Sequence, residues 1–128
     1  MYVREGVGVN HGPKSTYWKK RADAEITRIY KGRQCLICGS TPCVPHHIVG
    51  RANGLLRHDT CNIIPLCNEH HCTSNTLSAH STNAEAQRMF GLYIMQNHSE
   101  IYDWVMDHRH DKGVIDYQAR YEELKGVK

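Results

Sequence analysis

Apolar residues recur along this chain in two rhythms. Over residues 14–32, Trp18, Ala22, Ile26, Ile29 and Tyr30 fall at helical spacing, with Lys19, Lys20, Arg21, Arg28 and Lys31 on the other side. This predicts an amphipathic helix capped by Ser15 or Thr16 and ended by Gly32. Residues 44–49 and 62–66 read instead as short strands. Pro45 confines the first to an edge or a strand start, and Pro65 closes the second. A helix is expected to begin close to Cys67, with residues 68–75 as its first turns. Helical rhythm returns with Ala86, Met89, Phe90, Tyr93 and Ile94, behind a Thr82/Glu85 pair at capping-box spacing. Ser99 is expected to cap a further helix with Ile101, Trp104 and Val105 inward, and residues 116–125 form a weaker terminal one. Residues 1–13, with Gly6, Gly8, Gly12 and Pro13, read as a flexible lead-in. The fold class expected is α+β, in a single domain over residues 1–128.

Composition alters this picture mainly through two residue types. The chain has 128 residues, one Phe, six Cys and ten His. A chain of this size buries only a thin core, and a structural metal is a common remedy. All the cysteines, and most of the histidines, lie between Cys35 and His80. The formal net charge of +3 permits a polyanionic partner without requiring one. No apolar run approaches the roughly 20 residues of a membrane helix, and MYVREGVGVN lacks the apolar core of a signal peptide. A cytoplasmic location with reduced thiols is therefore expected, and paired cysteine spacing then reads as metal ligation.

Two ligand pairs bracket the Cys/His stretch: Cys35-x-x-Cys38 and Cys67-x-x-His70. Zinc takes four N or S donors in a tetrahedron, and each pair can reach one ion from a single turn. Glycine at position 39 suits the tight turn that aims the first two sulfurs. Cys43, Cys61 and Cys72 have no partner at ligand spacing and read as free thiols, though Cys43 or Cys72 could replace one member of the four. Chelation is expected to unfold this region.

His46 and His47 are adjacent, so on a strand they point to opposite faces. His71 follows His70 and on a helix projects about 100° away from it, free to serve a second centre. Taken together, CLICG, HHIVGR, Asn62 and LCNEHH, with SAH at 78–80, resemble the HNH endonuclease family, with its ββα-metal fold, and its small phage proteins in particular. The resemblance covers residues 35–80. It implies a zinc-stapled ββα-metal unit flanked by the N-terminal helix and by a helical part over 82–128. It implies His46 and His71 as ligands of a catalytic ion, His47 as the base that activates water, and Asn62 as the residue that pins the loop. The third ligand is either Asn75, one turn beyond His71, or His80. Imidazole donors admit Zn²⁺, Ni²⁺ or Mn²⁺, and Mg²⁺ or Mn²⁺ is expected in the cell.

The function expected is a divalent-metal-dependent endonuclease cutting DNA, weakly sequence-specific, nicking one strand as a monomer or both as a homodimer. Arg51, Arg57, Lys19 and Lys20 are candidate contacts to the DNA backbone. A larger phage or host partner would supply specificity. His58 is read as solvent-facing. The rivals are a zinc-stabilised nucleic-acid-binding module without catalysis, and an RNase or structure-specific nuclease.

Overall fold

The computed structural model describes residues 2–3 and 13–128. The expected lead-in falls mostly outside them. Two exceptions are Tyr2–Val3 (β1), which pairs antiparallel with Val114–Ile115 (β4), and Pro13, which opens the first helix. Neither two-residue strand is long enough to leave an alternating pattern in the sequence.

α1 runs over Pro13–Lys31. It starts on proline, which fits the first helical position because its missing N–H has no intrahelical partner to lose there; Ser15 and Thr16 lie inside the helix rather than capping it. The predicted stripe faces inward, with Ala22, Ile26, Ile29 and Tyr30 buried. β2 (Val44–His47) and β3 (Ile63–Leu66) form the second antiparallel pair, with His46 opposite Ile64 and His47 opposite Ile63. Paired residues share a face of a two-stranded sheet, so the hairpin has two distinct sides. Ile64 and Leu66 pack with Cys35, Cys43, Cys67, Phe90 and Ile94 on one side. Ile63 packs on the other, with Ala22, Ile26, Ile29, Tyr30 and Leu124. Two small cores are thus separated by the thickness of one sheet. Tyr30 bridges α1 to the hairpin, its hydroxyl donating to the Ile63 carbonyl at 3.1 Å.

A 3₁₀ turn at Thr60–Asn62 enters β3, with the Asp59 carboxylate accepting from the Cys61 amide. After β3 the expected helix is only a π-helical turn, Glu69–Thr73, closed by Ser74 N donating to Glu69 O at 2.8 Å. α2 (Ala84–Asn97) is capped by Asn83, whose side chain accepts from the amides of Glu85 and Ala86, so Thr82 is not the cap. Glu85 pairs with Arg88 instead. Ala86, Phe90 and Ile94 are buried, whereas Met89 is exposed. α3 (Ser99–His108) follows directly; its cap position is His98, one residue before the expected Ser99. α4 (Tyr117–Lys125) is capped by Asp116 and lies along α1. Arg28 of α1 donates to the carbonyls of Leu124 and Val127 at the end of α4. No helix among the described residues is long and apolar enough to cross a membrane. The result is an α+β arrangement built around a small antiparallel sheet.

Candidate active site

The start of the Cys/His stretch is a knuckle. Gly39 N donates to Cys35 O and Cys35 N to Ser40 O, and Gly39 takes φ of +76°, a conformation that favours glycine. Leu36 N donates to Pro65 O and ties the knuckle to β3. Cys67 lies just past β3, and His70 stands in the π-helical turn. The donors of Cys35, Cys38, Cys67 and His70 all lie within 4.8 Å of one another. Cys38 Sγ is 3.7 Å from Cys67 Sγ, and His70 Nδ1 is 3.9 Å from Cys35 Sγ and 3.3 Å from Cys67 Sγ. A zinc tetrahedron with Zn–S of about 2.3 Å and Zn–N of about 2.0 Å has edges of about 3.5–3.8 Å, so the four donors fit such an ion. The Ser40 hydroxyl, 3.0 Å from Cys38 Sγ, lowers that thiol's pKa to about 6, towards the thiolate a metal binds. Cys43 stands outside: burial pushes its pKa up to about 11, and its thiol donates to Ser40 O. Cys61 and Cys72 are exposed.

On the same side of the hairpin as Ile64, the buried ring of His46 meets His71 at 5.4 Å, His80 at 4.9 Å and the edge of Phe90 at 5.6 Å. One ring nitrogen from each of His46, His71 and His80 lies within 4.8 Å of the other two, a set able to hold an ion. Burial, reinforced by the two neighbouring rings, lowers the His46 pKa to about 3, so it is an unprotonated donor at neutral pH. Its Nδ1 is buried with no hydrogen-bond partner among the described residues. Burial lowers the pKa of His71 as well, assisted by His80.

His80 reaches this group by a backbone route. Ala79 N donates to His70 O and His80 N to His71 O, so the 74–80 loop folds back beside the π-helical turn. Ser74 fastens the loop by accepting from the amides of Thr76 and Leu77. The turn ends at Ser74, leaving Asn75 exposed in the bend beyond it rather than one helical turn past His71.

His47 shares its side of the sheet with Ile63 and α1. Its Nε2 is 2.9 Å from the Arg57 carbonyl. A carbonyl only accepts, so Nε2 carries the proton and the neutral ring keeps its lone pair on Nδ1. Burial lowers the His47 pKa, against the opposite pull of the Arg57 carbonyl. Asn62, fully buried, pins the intervening loop. Its amide donates to the carbonyls of Val49 and Leu56, and its oxygen accepts from Val49 N at 2.7 Å.

A cleft of about 320 Å³ opens between α1 and this hairpin, lined by His47, His71 and His80 together with Arg51, Asp23 and Thr27. Arg51 keeps 59% of its side chain exposed there, with a terminal nitrogen 3.8 Å from Asp23 Oδ2. Arg57 does not stand free for a phosphate: it grips Asp23 with two prongs, Nε to Oδ1 at 2.8 Å and a terminal nitrogen to Oδ2 at 2.7 Å. His58 is fully buried rather than solvent-facing, its Nε2 2.6 Å from Asp23 Oδ1. Burial alone would raise the Asp23 pKa; hydrogen bonds from Arg57 and His58 outweigh it and hold the carboxyl well below the carboxylate range. Lys19 lies over the Tyr117 ring at 5.4 Å, and Lys20 is exposed. Asp23 is the site residue that pattern reading missed. An acid within a basic helix face, beside Lys19, Lys20 and Arg21, was the one signal for it.

A family model described as "Protein of unknown function (DUF968)" matches residues 10–103, and the chain belongs to that family. The match takes in both ligand groups, α1, the hairpin and α2, and ends within α3. No curated protein and no solved structure matches the chain.

Proposed function

We propose that this protein is a divalent-metal-dependent DNA endonuclease of the HNH, ββα-metal type, hydrolysing phosphodiester bonds. One observation carries the reading. Two consecutive histidines of β2 turn to opposite faces, His46 into a three-imidazole group and His47 onto a loop carbonyl. His47 then lines one cleft together with the other two rings of that group. Phosphodiester hydrolysis needs those two functions side by side. It requires a group that removes a proton from water, and a centre of positive charge for the phosphate and the departing oxygen.

The roles follow from the geometry. His47, with Nε2–H committed to the Arg57 carbonyl, takes the water proton on Nδ1. His46, His71 and His80 would hold an ion such as Mg²⁺, Mn²⁺, Ni²⁺ or Zn²⁺. When bound, that ion supplies Lewis-acid stabilisation of negative charge on phosphate oxygens. Arg51, exposed along the cleft and loosely paired with Asp23, would hold an adjacent phosphate. Cys35, Cys38, Cys67 and His70 would hold a structural zinc, which would fix the turn from which His71 projects. The hairpin followed by a helical turn bearing the closing histidine supports the ββα-metal assignment, with a turn of five residues in place of a longer helix.

The test is supercoiled-plasmid cleavage with each of the four ions. The expected result is nicking or linearisation that falls by about 10²–10⁴-fold in His47→Ala, with DNA binding kept. Binding without cleavage by the wild type under every ion would leave a zinc-stabilised nucleic-acid-binding module. Cleavage of RNA or branched DNA in preference to duplex would reassign the substrate.

A further inference from the structure

Among the described residues, the ring of His47 makes one hydrogen bond, to the carbonyl of Arg57. That carbonyl belongs to the peptide unit joining Arg57 to His58, and the side chains flanking it both end on one carboxylate, Asp23. Asp23 comes from α1, 34 residues away from Arg57 in the chain and 35 from His58. The loop carrying Arg57 has no strand of its own; Asn62 ties it at Val49 and Leu56, and Asp59 N, donating to Leu56 O at 3.1 Å, closes the turn whose central peptide is the Arg57–His58 unit. The backbone turn sets where this peptide lies, and the two flanking side chains, both fastened to Asp23, hold it against α1. The carbonyl it bears is thus aimed jointly by the turn and by α1.

We infer that Asp23 is the positioning residue of His47: through Arg57 and His58 it fixes the carbonyl that selects the Nε2–H form of the ring and turns Nδ1 to the cleft. Asp23 also lies 3.8 Å from Arg51, a looser and more exposed contact than its grip on Arg57 and His58. The loss it causes through His47 must disappear once His47 is gone. The catalytic part of this inference rests on the nuclease reading; the structural part, that Asp23 sets the tautomer of His47, does not.

Asp23→Asn tests it, since an amide presents N–H to the guanidinium and breaks the two-pronged grip while keeping the side-chain size. Should that variant fail to fold, Arg57→Lys removes the same grip and keeps the charge. In the zinc-loaded full chain, imidazole nitrogen NMR at about pH 8 is expected to show His47 wholly as the Nε2–H form. In either variant it is expected to become a mixture of both forms. A His47 signature unchanged by the variants overturns the inference, whether or not the protein cuts DNA. If the signature changes and the wild type cuts nothing, the aim of His47 by Asp23 stands and the nuclease reading alone falls. Given cleavage, Asp23→Asn is expected to lower kcat by on the order of 10²-fold with KM and zinc content held. In a His47→Ala background the same change is expected to cost less than about twofold. Equal losses in the two backgrounds would mean that Asp23 acts apart from His47, and would also overturn it.

Discussion

Two ligand groups share one hairpin and one helical turn, yet they are built to opposite specifications. The group of Cys35, Cys38, Cys67 and His70 brings four donors, two on buried cysteines, at the spacing of a closed tetrahedron. An ion there has no position left for a substrate. The group of His46, His71 and His80 brings three donors, one deeply buried and one exposed, and two of its rings line a cleft. An ion there keeps positions open. On the proposed function, completeness of the donor set separates an ion that would hold the fold from one that would do chemistry, and adjacent residues, His70 and His71, belong to different sets.

The sharpest way to break this comparison is to deprive the four-donor group of zinc. Structural zinc binding in small domains is worth on the order of 10 kcal/mol, comparable with the whole stability of a domain this size. Strong chelation, or Cys67→Ser, is expected to abolish the cooperative melting transition followed by circular dichroism. A transition that persists unchanged would show that the two cores hold without the ion. The histidine group is tested by acid. The His46 pKa is lowered from its ordinary 6.5 to about 3, so as pH falls from about 6.5 towards 3 the unfolded chain takes up a proton that the folded chain refuses. Stability is lost across that window, at up to about 1.4 kcal/mol per pH unit from this residue, or ~2 kcal/mol between pH 6.5 and pH 5. The midpoint of urea unfolding should fall accordingly, and fall less steeply in His46→Phe. Equal slopes would place the acid sensitivity elsewhere. The smallest expected effect on folding is that of His80→Ala. Removing this exposed ring should shift stability by no more than about 0.5 kcal/mol while weakening uptake of a second metal equivalent. Titration calorimetry on the zinc-loaded protein reads the second quantity directly.

The cage could be read from the chain because each half of it is local. Two residues of spacing put Cys35 with Cys38, and Cys67 with His70, before any tertiary structure is known. His46 and His47 were separable for the same reason, since strand geometry alone divides neighbours between faces. His80 was harder, left open against Asn75. What decides its place is a loop folding back on a π-helical turn through the Ala79–His70 and His80–His71 backbone bonds, and no side-chain pattern encodes that. His58 was misplaced because a histidine between Arg57 and Asp59 looks solvated. Its burial depends on a carboxylate 35 residues earlier, a pairing invisible to local reasoning. The β1–β4 ladder went unseen because strands of two residues have no period to detect.

The π-helical turn ties the two centres more closely than their chemistry would suggest. Rings 70 and 71 leave the backbone from either end of one rigid amide, inside a ring of main-chain bonds with no slack residue. Whatever seats the first ring also sets the departure direction of the second. A substitution that shifts the backbone of Glu69–Thr73 would be felt at both ends of that amide, so the two centres would move together.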